Sequence, residues 1–276
     1  MFAGYREDMI AIRDVDRSFG VDVGSNVRIN YFDTGGDGPP VVILHGLAGS
    51  AWEFFETARA IPEFRTILID LRGHGRSTSI PDDLSREAFV RDVVQVIEAS
   101  VNAPVTLVGQ SMGGHTAMLL AGTRPDLVSK LVLLESGPGS GSAAENERIG
   151  DFFRSWPVPF PSRTAARDFL GDGPLERAWV ADLEKRLDGL WPRFDADVLV
   201  ATINEVIRPR WDEWESLTAP TLVVYGEEGM FTAEEKSEFV DRGRDVRRLD
   251  LAGASHDGHL DAFKSWIIAL RSFLLT

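Results

Sequence analysis

The run Gly109-Gln110-Ser111-Met112-Gly113 follows the apolar stretch Val105 to Val108 directly and leads into a helical pattern. A serine on so sharp a strand-to-helix turn holds its hydroxyl above the sheet edge, where it can attack an acyl carbon. Side chains at positions 109 and 113 would collide with neighbouring backbone in such a turn, which calls for glycine at both. The helix starting near Met112 points free N–H groups toward developing negative charge. Ser111 is therefore read as a nucleophile.

A serine of this kind needs a base and an acid, arriving in the chain order serine, acid, histidine. Of the five histidines, His256 in Gly253-Ala254-Ser255-His256 follows the last strand-like run and precedes the final helix. That places it on a loop at the same sheet edge as Ser111. His259, one helical turn further on, is the nearest rival and starts a regular helix. His45 ends a buried strand in Val41-Val42-Ile43-Leu44-His45-Gly46. The turn after it is expected to shape an oxyanion hole, with the main-chain N–H groups of Leu47 and Met112 as donors and His45 as a brace. His74 and His115 read as structural. Asp70 reads as an acceptor for the glycine-rich loop after it. No histidine pair with acidic company has ligand spacing, so neither a metal nor a cofactor is expected.

These residues must be carried by a sheet. Strand-like runs, most of them short, continuous and β-branched, lie at Val27 to Phe32, Val41 to Leu44, Thr66 to Asp70, Val105 to Val108, Leu131 to Glu135, Thr221 to Tyr225 and Val246 to Leu251. Strands buried on both faces of a parallel sheet read this way. Helical patterns alternate with them. Ser85 to Glu98 opens on a capping serine and groups Phe89, Val93, Val96 and Ile97 on one face, and a last helix does the same with Leu260, Phe263, Ile267, Leu270 and Leu274. The expected fold class is α/β, a doubly wound, mostly parallel sheet with right-handed crossovers. Asp8 to Phe32 reads as an antiparallel hairpin at one edge.

Between about Gly137 and Leu217 strand patterns vanish, and five of the seven tryptophans (Trp156, Trp179, Trp191, Trp211, Trp214) cluster there. The expected organisation is a core over 1–136, a helical cap inserted at 137–217, and the rest of the core over 218–276. The cap would close over the strand ends where ligands bind in open α/β sheets.

A net charge of −14 argues against nucleic-acid partners, because phosphate binding needs clustered cations. With no cysteine, disulfides and thiol nucleophiles are excluded. No 18-residue apolar run spans a bilayer and no secretory leader is recognised, so a cytoplasmic chain without a membrane partner is expected. Monomer and symmetric homodimer are both left open.

Together HGLAGS, DLRGHGRS, GQSMGG and the late GASH resemble the α/β-hydrolase superfamily from about Val27 to the C-terminus, the insertion excepted. The resemblance implies attack by Ser111, proton transfer through His256, and Leu47 and Met112 as oxyanion donors. The acid departs from the common pattern. Most relatives carry Gly-x-x-Asp after the strand Thr221 to Tyr225, whereas this chain has Gly226-Glu227-Glu228-Gly229. Glu228 or Glu227 would replace it by a small shift of the loop. The third candidate is Glu135, at the position from which haloalkane dehalogenases and fungal-toxin lactonases draw their acid. Glu135 is favoured, since an ionised carboxylate ending a buried strand needs a partner such as an imidazolium.

Serine in place of aspartate at the elbow disfavours carbon–halogen and epoxide chemistry. The resemblance implies a cofactor-independent hydrolase cleaving a carboxylic ester or lactone of a small hydrophobic or aromatic substrate. Its alternatives are a carbon–carbon bond hydrolase of aromatic degradation, a cofactor-free perhydrolase, and a small-molecule receptor on the same scaffold.

Overall fold

The computed structural model describes residues 18–276. It begins with an antiparallel pair, β1 (Ser18–Asp22) and β2 (Arg28–Asp33), in which Ser18 faces Phe32. This is the expected edge hairpin, of which the part from Asp8 to Arg17 lies outside the described residues. Six more strands follow: β3 (Pro40–Leu44), β4 (Arg65–Ile69), β5 (Val105–Gln110), β6 (Val128–Leu134), β9 (Thr221–Gly226) and β10 (Val246–Leu251). The sheet order is β1-β2-β4-β3-β5-β6-β9-β10, parallel throughout from β4 to β10. The winding reverses between β3 and β5. The loops leaving these two neighbours lie at the carboxyl edge, where sheets of this kind bind ligands.

Alternate residues of each strand feed opposite faces. Val42, Leu44, Leu107 and Leu133 join the helices α2 (Arg86–Ser100), α3 (Met112–Thr123) and α9 (Ala233–Arg242) on one side. Val41, Ile43, Val108, Val132 and Leu134 join α1 (Phe55–Ala60) and α11 (Phe263–Leu274) on the other. Ser85 caps α2 by accepting the Ala88 N–H, and Thr232 and Glu235 form a reciprocal capping box at α9.

The insertion carries α4 (Ala143–Arg154), α5 (Arg163–Leu170), α6 (Pro174–Asp182), α7 (Ala196–Asn204) and α8 (Trp211–Ser216). Three findings differ from the sequence reading. First, the insertion contains a hairpin, β7 (Glu184–Arg186) and β8 (Gly189–Trp191), whose three-residue strands are too short to show alternation. Second, Trp214 belongs to the sheet's own core rather than to a cap. It stacks on Phe239 of α9 at 4.0 Å between ring centroids and donates its indole N–H to the Phe239 carbonyl. Third, the last helix is split at Ala262 into α10 (Gly258–Asp261) and α11. Among the described residues no helix is long and apolar enough to cross a membrane.

Candidate active site

Ser111 occupies the turn between β5 and α3 with φ 52° and ψ −119°, a conformation that strains any residue with a Cβ. Two close approaches hold it there. A Cβ on Gly109 would lie 2.6 Å from the Gly113 carbonyl carbon and the Gly114 Cα, and one on Gly113 would strike the Leu44 carbonyl at 2.6 Å. The two glycines thus let the ends of β3 and β5 and the first turn of α3 meet.

The ladder sets Glu135 beside Ser111. Gln110 pairs with Leu134, so Ser111 and Glu135 stand side by side just past the ends of β5 and β6. The Ser111 N–H donates to the Leu134 carbonyl at 2.9 Å, and the Glu135 N–H to the Val224 carbonyl at 2.8 Å. Glu135 also has a positive φ, 47°, and its side chain is fully buried. Its carboxylate receives the Gly226 N–H at 2.7 Å and the Met230 N–H at 3.0 Å, with His256 Nδ1 at 3.1 Å from Oε2. Two amides and an imidazole offset the desolvation that a buried carboxylate suffers.

Gly229, at the position where the resemblance led one to look for aspartate, explains the room for this arrangement. A Cβ there would lie 2.6 Å from Glu135 Oε2. The glutamate from β6 fills the space that an acid after β9 would need. Glu228 is exposed, with its N–H on the Ala254 carbonyl, and Glu227 accepts the Gly253 N–H at 3.0 Å.

His256 lies on the loop between β10 and α10. Gln110, next to the serine, donates through Nε2 to the His256 carbonyl at 3.3 Å and to Asp257 Oδ1 at 3.4 Å. This buried glutamine stitches the histidine loop to the elbow. Sequence reading passed over it, although a long amide ending a strand inside the serine motif was the available signal. Asp257, bonded to Gln110, has its carboxyl raised by burial.

The loop after β3 comes up against the serine. A Cβ on Gly46 would lie 3.3 Å from Ser111 Cβ, so the Gly46-Leu47 turn abuts the serine. Among the described residues, the N–H groups of Leu47 and Met112 have no protein acceptor, the condition for receiving an oxyanion. His45 fixes this turn. Its Nε2 accepts the Leu71 N–H at 3.0 Å, which leaves the proton on Nδ1 to be donated to the Gly46 carbonyl at 2.7 Å. Burial holds its pKa down at about 4, so the ring stays neutral.

A family model for the alpha/beta hydrolase fold matches residues 39–263. The chain belongs to that family. It is 24% identical to the esterase YbfF of Escherichia coli over 253 residues, covering 90% of this chain and 98% of that one. Over 112 residues it is 41% identical to the mouse sn-1-specific diacylglycerol lipase ABHD11, 40% of this chain and 36% of the lipase, so the match spans about a third of that relative. Among solved structures, E-2-(acetamidomethylene)succinate hydrolase superposes with a TM-score of 0.85 at 20% identity, covering 94% of this chain and 99% of that one.

Within this alpha/beta hydrolase the remaining candidates have other contacts. His259 is buried, stacks flat on Phe54 at 4.3 Å, and turns Nε2 to Glu53 Oε2 at 3.7 Å. Asp70 accepts from Ala51 N, Arg76 N and Asn30 Nδ2, which makes it the knot of the loop that follows. His74 donates to the Arg72 carbonyl at 2.9 Å. Among the described residues no group of three or more His, Cys, Asp or Glu is placed to hold a metal.

The insertion meets the loop after β3 through an aromatic cluster of Phe153, Trp156, Trp179 and Phe194, with Trp179 Nε1 donating to the Ala48 carbonyl at 3.1 Å. Beneath that contact Glu53, Trp179 and Asp182 line a cavity of about 20 Å³, room for one water. Burial, and next the Asp70 charge, pushes the Glu53 carboxyl up to about 8.

A carboxyl with a folded pKa above its unfolded value keeps its proton longer in the native state. Its contribution to stability therefore falls as pH rises from about 4.5 to about 8. Glu53→Gln is expected to remove that slope, stabilising the protein at pH 8.5 by a few kcal/mol at most and far less at pH 5.5. Denaturant unfolding at both pH values checks this. An equal shift at both would show that Glu53 does not titrate in this window. Asp182 and Arg193 line the same cavity, Asp70 acts on Glu53 through space and Glu53 on Asp257, so the slope that the substitution removes belongs to Glu53 together with its coupling to these charges.

Proposed function

We propose that this protein is a serine hydrolase cleaving a carboxylic ester or lactone of a small hydrophobic or aromatic substrate through an acyl-enzyme. The observation that carries the reading is the His256 Nδ1 contact with the buried Glu135, on the loop that Gln110 ties to the Ser111 elbow.

In this mechanism Glu135 accepts the Nδ1–H of His256, leaving Nε2 free to take the proton from Ser111 Oγ as that oxygen bonds to the acyl carbon. The carbonyl electron pair moves onto oxygen and is received by the N–H groups of Leu47 and Met112. Collapse expels the alcohol, which takes the proton from His256. Water then attacks the acyl-enzyme, giving its proton to His256, and Ser111 leaves with that proton restored. For a lactone the alcohol stays tethered to the acyl group. The aromatic cluster beside Ala48 favours an apolar acyl or alcohol part, and the esterase and lipase relatives favour ester substrates.

The test is purified protein assayed on short aryl esters, simple lactones and a vinylogous diketone acid, alongside labelling with a fluorophosphonate. Turnover of esters or lactones with modification of Ser111 is expected. Activity confined to the diketone acid would make the enzyme a carbon–carbon bond hydrolase, and an unlabelled serine without turnover would leave a binding protein.

A further inference from the structure

Arg86, the first residue of α2, is an oddity of the core. Its side chain is 1% exposed, yet none of its nitrogens meets a carboxylate. Nη2 donates to the Met112 carbonyl at 3.3 Å and to the Thr116 hydroxyl, the guanidinium carbon stands 4.4 Å over the Phe89 ring, and Nε and Nη1 have no protein partner. The nearest carboxylates act on it only through space. Glu87 is engaged with Arg210 at 3.1 Å and Glu205 is exposed. The rings of His74 and His115, which also feel this charge, are held neutral chiefly by burial; His115 turns toward the Pro138 carbonyl without hydrogen-bonding geometry. Burial draws the guanidinium down to about 9, so it remains a cation at neutral pH.

Two physical effects oppose a cation in this place. Taking an unpaired guanidinium out of water is costly. The first turn of α3 is moreover the positive end of a helix, where a second positive charge is unfavourable. The same two effects change sign when an anion forms beside Met112. A charge that the low-dielectric core does not screen acts strongly on an oxyanion held by the Met112 N–H, and the guanidinium is fixed in advance by its bonds to the carbonyl of the same residue.

We infer that Arg86 is a positioning residue for the hydrolytic reaction: it anchors the Met112 end of the oxyanion hole and lends it a buried positive charge, at the expense of stability. This rests on the reading of Ser111 and the oxyanion donors given above. Sites that break a local stability rule without any local gain are where function is found.

The experiment compares wild type with Arg86→Met and Arg86→Lys. It reads kcat and KM on an aryl ester, affinity for an alkyl boronic acid that forms a tetrahedral anion on Ser111, and denaturant stability. Arg86→Met is expected to be as stable as wild type or more so, with kcat and boronate affinity each down about 10- to 100-fold and KM nearly unchanged. Arg86→Lys, whose ammonium the same burial draws toward the neutral form, is expected to regain activity over Arg86→Met as the pH falls and its charge returns. A merely structural arginine would lose stability and activity together.

An Arg86→Met chain that fails to fold, one that turns over normally, or a lysine variant no better than methionine at every pH tested overturns the proposal while leaving the reading of Ser111 intact. A wild type that neither hydrolyses esters nor takes up the boronate overturns both.

Discussion

Ser111→Ala is expected to lower kcat on an aryl ester by about 10⁴-fold or more, roughly 5 kcal/mol of transition-state stabilisation, with a folded protein left behind. Among the described residues, the neighbouring hydroxyl of Ser136 is committed to the Ser111 carbonyl at 3.0 Å. Gln110 is an amide tied to the His256 loop, the neighbouring Met112 side chain is buried and apolar, and the chain has no cysteine. Water activated by His256 would be left as the only attacking group, and it would lack the serine's fixed position.

The same residue offers a stability signature that an ordinary surface serine would not. With φ at 52° and ψ at −119°, Ser111 sits where a Cβ costs of order 1–3 kcal/mol. Ser111→Gly is expected to be as inactive as the alanine variant and to melt at or above wild type, part of the relief being offset by the freer unfolded chain. Steady-state kinetics and thermal denaturation of the two variants check both halves. An alanine variant with more than about one-hundredth of wild-type kcat would remove Ser111 from the mechanism.

What the chain disclosed before its structure was known depended on the range of the interactions involved. The strands β3, β5, β6 and β9 each carry a short, mostly apolar run where both of their faces are covered, and such a run is local information. The elbow was equally plain, since its two glycines answer to contacts within one turn and with the adjacent strand. The edge strand β10 is half charged, with Arg247, Arg248 and Asp250, yet its ends were legible from the turn residues around it.

Features resting on partners distant in the chain stayed hidden. Trp214 looks like a cap aromatic until Phe239 is brought against it. The hairpin β7–β8 carries no periodic pattern, and its place is set by the bridge from Leu190 to Phe160. The flat stacking of His259 on Phe54 joins residues some two hundred positions apart, so the helical look of the segment gave no hint of it. Glu135 lies between these extremes. Its position past a buried strand is a local fact, while the amides of Gly226 and Met230 that receive it belong to a loop folded in from 91 and 95 residues away.

That long-range fit between Glu135 and Gly229 can be tested by exchanging the two. Glu135→Gln keeps the size of the side chain but takes the charge from His256 Nδ1, and is expected to lower kcat by about 10²- to 10⁴-fold. Near-normal activity in that variant would mean that Glu135 does not orient the imidazole. Gly229→Asp alone is expected to be both less stable and less active, because its Cβ would come within 2.6 Å of Glu135 Oε2 and two carboxylates would compete for one set of donors.

The double variant Glu135→Ala, Gly229→Asp empties the space from the β6 side and refills it from the β9 side. The new carboxylate would stand near the Gly226 and Met230 amides and the His256 ring. At least a tenfold gain in kcat over Glu135→Ala is expected, together with recovery of the stability lost in Gly229→Asp. A folded double variant no more active than Glu135→Ala would show that a carboxylate in that space is not enough. The acid's effect would then depend on its attachment to β6, beside the serine, where the strand ladder holds the two residues in register.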